Sequence, residues 1–288
     1  MQLKEKLLRY CCYEPRIQIL QSDRFGNDTL SAVKVFQRQQ GLEEDGIVGP
    51  LTWAALTRVD AEKNTDTTQT ENAAAEVGMP QHIRKNVTAS ITAALSGETA
   101  VRRAMVLDAL QFTADPTQPG AAPRSFYIRG GNLYNTDLSL NVMTEAKLKS
   151  YFSRQSYAAY FDSGRKEMML AAAQAANFTL SGADCSGGVV GLLRHAGVVS
   201  SGFDLSANGF AASSRYKEIA RAQLRSGDLV HKSGHIGMYL GGGYVAEWMG
   251  GAYGCQLTKL MDRRGYNYVS GKMSRMGAWT GFLRPTYY

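Results

Sequence analysis

Residues 57 to 81, TRVDAEKNTDTTQTENAAAEVGMPQ, hold no aromatic side chain and are crowded with Thr, Asn, Ala and charged residues. Such a stretch offers little apolar surface to bury and reads as a linker. It divides the 288 residues into unequal parts, so one continuous core is not expected. The organisation predicted is a small helical domain over 1–58, a linker over 59–81 and a larger domain over 82–288, each of a size suited to its own core.

In the small unit, FGNDTLSAVKVFQRQQGLEEDGIVGPLTWAAL places Leu30, Val33 and Phe36 at helical spacing, with Asn27 or Asp28 as the cap and Gly41 as the stop. DGIVGP reads as a turn, after which Pro50 is suited to open a second helix carrying Trp53 and Leu56. Phe36 and Trp53 are expected in the core.

The larger unit opens with an amphipathic helix over 98–111 and a tight turn at Gly130 and Gly131, followed by a helical region over roughly 144–176. A run of strands then follows, broken at RSGD, KSGH and LGGGY. Helices first and strands later predict an α+β fold rather than alternating βαβ units.

GADCSGGVVGLLRHAG, residues 182–197, carries the chemistry. Cys185 opens a predicted helix, where unpaired N–H groups and the helix dipole favour a thiolate. A nucleophile also needs a base, and four histidines are available. His195 lies ten residues along the same helix, roughly 15 Å away at about 1.5 Å per residue, which rules it out. His82 sits at the linker edge, where solvation is expected, and His231 ends a strand where simple packing suffices. His235 is preferred: it alternates with Ile236, Met238 and Leu240 and so points away from the most apolar face, beside Gly237. The next strand supplies Glu247. An odd-numbered loop through the three glycines would put Glu247 and His235 on one face, as an orienting carboxylate requires, whereas a two-residue loop would separate them.

A formal net charge of +7 suits a polyanionic partner, whether nucleic acid, acidic membrane or anionic wall polymer. No nucleic-acid motif, phosphate loop or zinc spacing accompanies it. Cys11, Cys12, Cys185 and Cys255 fit no metal spacing, and free thiols are expected. No apolar run is long enough to span a bilayer, and the charged N-terminal stretch lacks the apolar region of a secretory signal.

The FG, T, AV, FQ, GL, DGIVGP and TW of the small unit resemble, over nearly its whole length, the peptidoglycan-binding domain found beside many wall hydrolases. From about residue 98 onward, YIRGG, DCSGGV, GDLV and GHIGMYLGGGYVAEWMGGAYG together resemble the NlpC family of papain-like cell-wall cysteine peptidases. That resemblance implies an antiparallel sheet with the nucleophile at a helix N-terminus. It implies Cys185 as nucleophile, His235 as base and Glu247 as the third polar residue, commonly His in the family. Tyr127 would act at the oxyanion or substrate backbone, and Asp184 and Ser186 would bind the stem peptide. Arg129, counted with the substrate-binding residues, replaces the usual aromatic, and an insertion separates Tyr127 from Cys185.

The expectation is a monomeric, endolysin-like peptidoglycan hydrolase that cleaves a stem-peptide amide, with no cofactor and no metal. Its partner would be peptidoglycan, with neither nucleic acid nor stable membrane insertion, and it would wait in the cytoplasm for holin-dependent release. The alternatives are an N-acetylmuramoyl-L-alanine amidase with the same catalytic set and a non-catalytic wall-binding structural component.

Overall fold

The computed structural model describes residues 3, 7, 25–53, 55–56, 79–161 and 164–287. Cys11, Cys12 and residues 59–78 of the expected linker lie outside the described residues.

In the N-terminal region helix α1 spans Asn27–Gln39, and residues 50–53 and 55–56 are helical. Leu7, Ala32, Val33, Phe36 and Leu56 form its core, with Trp53 packed against them. The cap differs from expectation. Gly26 is the N-cap, its carbonyl accepting from the Leu30 N–H at 2.9 Å, so Asn27 already lies inside the helix. Gln37 staples the DGIVG turn by donating to Asp45 Oδ1 at 2.6 Å and accepting from the Gly46 N–H at 2.8 Å.

The C-terminal region is mixed α+β. Two helices come first, α2 (Lys85–Leu95) and α3 (Ala100–Phe112), the second capped by Thr99. Strand β1 (Ser125–Tyr127) follows. The region expected to be helical from 144 to 176 is three pieces: α4 (Glu145–Ser153), a 3-10 turn (Gln155–Tyr160) and α5 (Arg165–Ala175). Gly164, left-handed at φ 82°, is the N-cap of α5, a conformation through which no right-handed helix runs. These pieces build their own small core of Met143, Leu148, Phe161, Met169 and Ala173 against Phe126 and Ile128. Strand β2 (Ser181–Ala183) pairs in parallel with β1 and leads directly into α6 (Cys185–His195).

After α7 (Ala207–Ala212) come β3 (Tyr216–Glu218), β4 (Leu229–Lys232), β5 (His235–Gly241), β6 (Tyr244–Met249), β7 (Gly254–Lys259), β8 (Arg264–Asn267), β9 (Lys272–Arg275) and β10 (Gly281–Pro285). Six of them form an antiparallel sheet in the order β3-β10-β4-β5-β6-β7. Ile236, Met238, Leu240, Ala246 and Trp248 belong to one buried cluster with residues of α2, α3 and α6, so these helices cover one face. Val230, Val245 and Trp279 form a separate core, with Tyr239 and Phe282 packed against it. Period-2 alternation along β5 and β6 therefore divides two cores, as it must in a pleated strand.

Two buried charge clusters tie the elements together. Asp228, fully buried, takes Arg102 of α3 at 2.9 Å and Arg284 of β10 at 2.7 Å, and accepts from the Arg225 N–H at 2.9 Å. At the C-terminal end of α6, His195 Nδ1 lies 2.8 Å from Asp108 Oδ2, and Asp108 Oδ1 accepts from the Tyr134 hydroxyl at 2.8 Å. Arg38 of α1 reaches this second cluster, donating to the Tyr134 hydroxyl at 2.9 Å and lying 3.6 Å from Asp108. His195, excluded as a base by its position, is thus part of the seam where the N-terminal helix meets the C-terminal region.

The exposed setting expected for His82 is wrong. Its Nε2 lies 3.1 Å from the Leu110 carbonyl and 3.0 Å from that of Thr113, so the ring caps the last turn of α3. Burial, with the nearby Arg124 charge, lowers its pKa to about 4.

Candidate active site

Asp184 sits between β2 and α6 and fixes where the helix begins. Its Oδ1 accepts from the Gly187 N–H at 2.7 Å and the Ser186 hydroxyl at 3.0 Å, while Oδ2 accepts from the Gly130 N–H at 2.8 Å. One carboxylate therefore caps α6 and fastens it to the Gly130–Gly131 turn. Two glycines let the helix come this close: a Cβ at Gly187 would lie 1.9 Å from the Gly131 carbonyl oxygen, and one at Gly188 would lie 2.2 Å from the Trp248 ring. Cys185 is accordingly jammed against the sheet at the first position of α6.

The thiol meets the start of β5. Cys185 Sγ is 3.9 Å from the Gly234 carbonyl oxygen and receives the Ile236 N–H, the two groups that flank His235 in the chain. Burial, and then the Asp184 charge, push the thiol up to about 11, outweighing the backbone N–H groups that favour a thiolate. The helix start alone does not ionise this cysteine. Among the described residues no hydrogen bond joins Sγ directly to the imidazole.

His235 lies diagonal to Glu247 across the β5–β6 pair. Met238 opposes Ala246 and Tyr239 opposes Val245, a register that continues to Gly237 opposite Glu247. The hairpin nevertheless closes with the two residues Gly242 and Gly243, because Gly241 opposes Tyr244. A two-residue turn and a shared face for His235 and Glu247 are therefore compatible, contrary to the parity rule applied to the sequence. The register shifts between Tyr239 and Gly241, and this bulge supplies the extra residue that restores the face. Gly241, Gly242 and Gly243 have φ of 95°, 58° and 83°, backbone that β-branched residues do not adopt.

His235 Nε2 is 2.7 Å from Glu247 Oε2. A carboxylate can only accept, so Nε2 carries a proton in this contact, and in a neutral ring the lone pair is then on Nδ1. Glu247 is fully buried, and burial alone would raise its pKa; hydrogen bonds from Arg263 and His235 overcome this and hold it down at about 2. Arg263 Nε donates to Oε1 at 2.8 Å and its Nη2 to Oε2, while the Thr258 hydroxyl donates to Oε1 at 2.5 Å. The Arg263 guanidinium also lies 4.4 Å over the Trp279 ring, which stacks in parallel on the His235 imidazole at 5.4 Å and 10°.

Of the residues singled out in the sequence, Cys185, Asp184 and Ser186 share the start of α6, and His235 and Glu247 share one sheet face. Tyr127 ends β1 opposite Ala183, so the β1–β2 pairing sets it beside the residue that precedes Asp184, with its ring near Gly250. Arg129 is exposed in the following turn. Both oxygens of Asp184 are engaged by the protein itself. His231 donates to Asn208 Oδ1 at 3.2 Å, and the same oxygen accepts from the Gly234 N–H at 2.8 Å, which steadies the turn before His235. Cys255 is buried against Thr113, and both described cysteines are free thiols.

Arg263, Thr258 and Trp279 were missed by sequence reasoning. A signal existed: a glutamate on a buried strand demands a cation, and arginines cluster in DRRG shortly after it. Among the described residues no group of His, Cys, Asp and Glu is arranged to hold a metal ion, and no helix is long and apolar enough to cross a membrane.

Comparison with known sequences defines the N-terminal unit first. Residues 1–56 match the family described as a peptidoglycan binding domain. An uncharacterized protein in the bpoA1 3' region of Kitasatospora aureofaciens is 66% identical over 32 residues, which is 11% of this chain and 27% of that protein. No solved structure matches the chain.

Proposed function

We propose that this chain is a peptidoglycan hydrolase that holds the wall through residues 1–56 and cleaves a stem-peptide amide with a papain-like Cys185–His235–Glu247 set. The family match supports the first part of the reading. The observation that carries the second is the thiol of Cys185 seated on the backbone either side of His235, whose imidazole is itself held by a buried, ionised Glu247.

In this reading the resting thiol is protonated. His235 Nδ1 takes the proton as sulfur attacks the amide carbon, and the hydrogen bond from Nε2 to Glu247 stabilises the imidazolium that forms. Backbone N–H groups at the start of α6, with Tyr127, steady the oxyanion. The imidazolium then protonates the leaving amine, and water, deprotonated by the same imidazole, resolves the thioester. Catalytic hydrogen bonds commonly tighten only when substrate is bound, which suits a thiol that contacts the strand backbone before it contacts the ring. An endolysin-like setting, with the chain reaching the wall from the cytoplasm at lysis, belongs to the same proposal.

Mass spectrometry of fragments released from purified sacculi tests it. A new amine within the stem peptide is the expected result. Release of intact stem peptides from muramic acid would identify an amidase instead, and release of nothing at all would leave a wall-binding component.

A further inference from the structure

His235, Glu247, Arg263 and Trp279 form a closed ring of four contacts. His235 donates to Glu247 at 2.7 Å, Arg263 donates to both oxygens of Glu247, Arg263 lies 4.4 Å over Trp279, and Trp279 stacks on His235. Building on the cysteine hydrolase reading above, we infer that Arg263 and Trp279 are positioning residues for His235, a clamp that fixes the plane and tautomer of the imidazole without touching substrate.

Each contact restricts something the others leave open. The hydrogen bond to Glu247 fixes which nitrogen carries the proton, yet a ring can swing about a single hydrogen bond. The parallel indole removes that freedom by holding the imidazole plane within 10° of its own. Trp279 is held in turn by its packing on Val230 and Val245 and by the Arg263 guanidinium 4.4 Å from its ring centroid; indole is the aromatic face that binds cations best. Arg263 in turn is anchored by a 2.8 Å hydrogen bond from its Nη1 to the Gly277 carbonyl, two residues before Trp279. The indole is 7% exposed, and its N–H has no hydrogen-bond partner among the described residues. It is thus retained for its face rather than for its donor.

The clamp also sets charge. Glu247 faces one imidazole and one guanidinium, so the carboxylate is already balanced before His235 gains a proton. Without Arg263 the bare carboxylate would trap the imidazolium and slow its return of the proton to the leaving amine. The other ionisable groups near the pair are Cys185 with Asp184 behind it, His231 on β4, and Cys255 on β7.

The test uses the full chain acting on a soluble stem peptide, and reads kcat, KM, the pH profile of kcat/KM and the iodoacetamide reaction rate of Cys185. Trp279→Phe keeps a stacking face and is expected to stay close to wild type. Trp279→Leu is expected to lose roughly tenfold or more in kcat, because a small misplacement of a catalytic group is that costly, with KM within about twofold. Arg263→Lys offers one ammonium where two parallel donors are needed, and is expected to lower kcat and shift the acid limb of the profile to higher pH.

Wild-type kcat and an unchanged pH profile in folded Trp279→Leu and Arg263→Lys would overturn the clamp. So would a Trp279→Phe variant as slow as Trp279→Leu, since a retained aromatic face would then give no rescue. A wild-type protein that neither cleaves stem peptide nor reacts at Cys185 would overturn the underlying hydrolase reading instead.

Discussion

His235 and Glu247 stand two residues out of direct register on neighbouring strands, yet share a sheet face and a 2.7 Å hydrogen bond because the hairpin between them bulges next to Leu240. The bulge decides the face, and the face decides whether a buried carboxylate can hold the imidazole. Insertion or deletion of a single residue in the glycine triplet would turn Glu247 away from His235.

If Cys185 is the nucleophile, Cys185→Ala abolishes lysis of sacculi while wall binding and far-UV circular dichroism stay unchanged. Because burial and Asp184 push the thiol up to about 11, its alkylation by iodoacetamide near neutral pH depends on His235 as proton acceptor. Cys185 should react at measurable rates at pH 7 in the wild type, whereas in His235→Ala the rate should climb only in alkali. A rate unaffected by His235→Ala would show that imidazole and thiol do not work together.

Glu247 makes stability depend on acid. Its folded pKa of about 2 lies below the ordinary 4.5, so its contribution is complete above about pH 4.5 and is lost as pH falls through 2. The shift corresponds to about 3 kcal/mol. Urea unfolding of the wild type should show this loss between pH 5 and pH 2, and Glu247→Gln should flatten the curve there. At pH 7 that variant should also be less stable, because Arg263 is left buried without its counterion.

Asp228 lies far from the thiol in function but not in consequence for the fold. Asp228→Asn removes the charge shared by Arg102 and Arg284, and breaking a buried pair from one side costs about 3–5 kcal/mol. Chemical denaturation should report that loss. A change of less than about 1 kcal/mol would place the two arginines in the category of solvated surface pairs.

Residues 1–58 should bind sacculi as an isolated fragment, measured by co-sedimentation. Their deletion should weaken action on whole walls more than on soluble stem peptides, since tethering raises local concentration without altering the chemistry. Equal losses on both substrates would mean that the Arg38 contact with Asp108 and Tyr134 supports the C-terminal fold instead.

The elements that sequence made legible are those with strong local signals. Val33 and Phe36 recur at helical spacing, the β5 alternation separates His235 from Ile236, and the small residues around Cys185 mark a helix start. What escaped depends on long-range pairing. Arg263 and Trp279 lie in loops with no periodicity, and only the folded sheet brings them to Glu247. The bulge escaped because face parity was counted from loop length alone, and His82 because a residue beside a linker was taken to be exposed when the end of α3 requires its N–H. The break of the 144–176 region at Gly164 depends on a left-handed residue that composition does not distinguish from a glycine tolerated within a helix.

The raised pKa of Cys185 also bears on how long the protein keeps its thiol intact. Peroxide and disulfide reagents attack the thiolate, and susceptibility follows thiolate character and exposure. Cys185, a residue 7% exposed whose thiol is protonated at neutral pH, presents oxidants with little of either. In the proposed mechanism, the burial that makes the thiol depend on His235 at the moment of attack would also slow sulfenic acid formation while no substrate is bound.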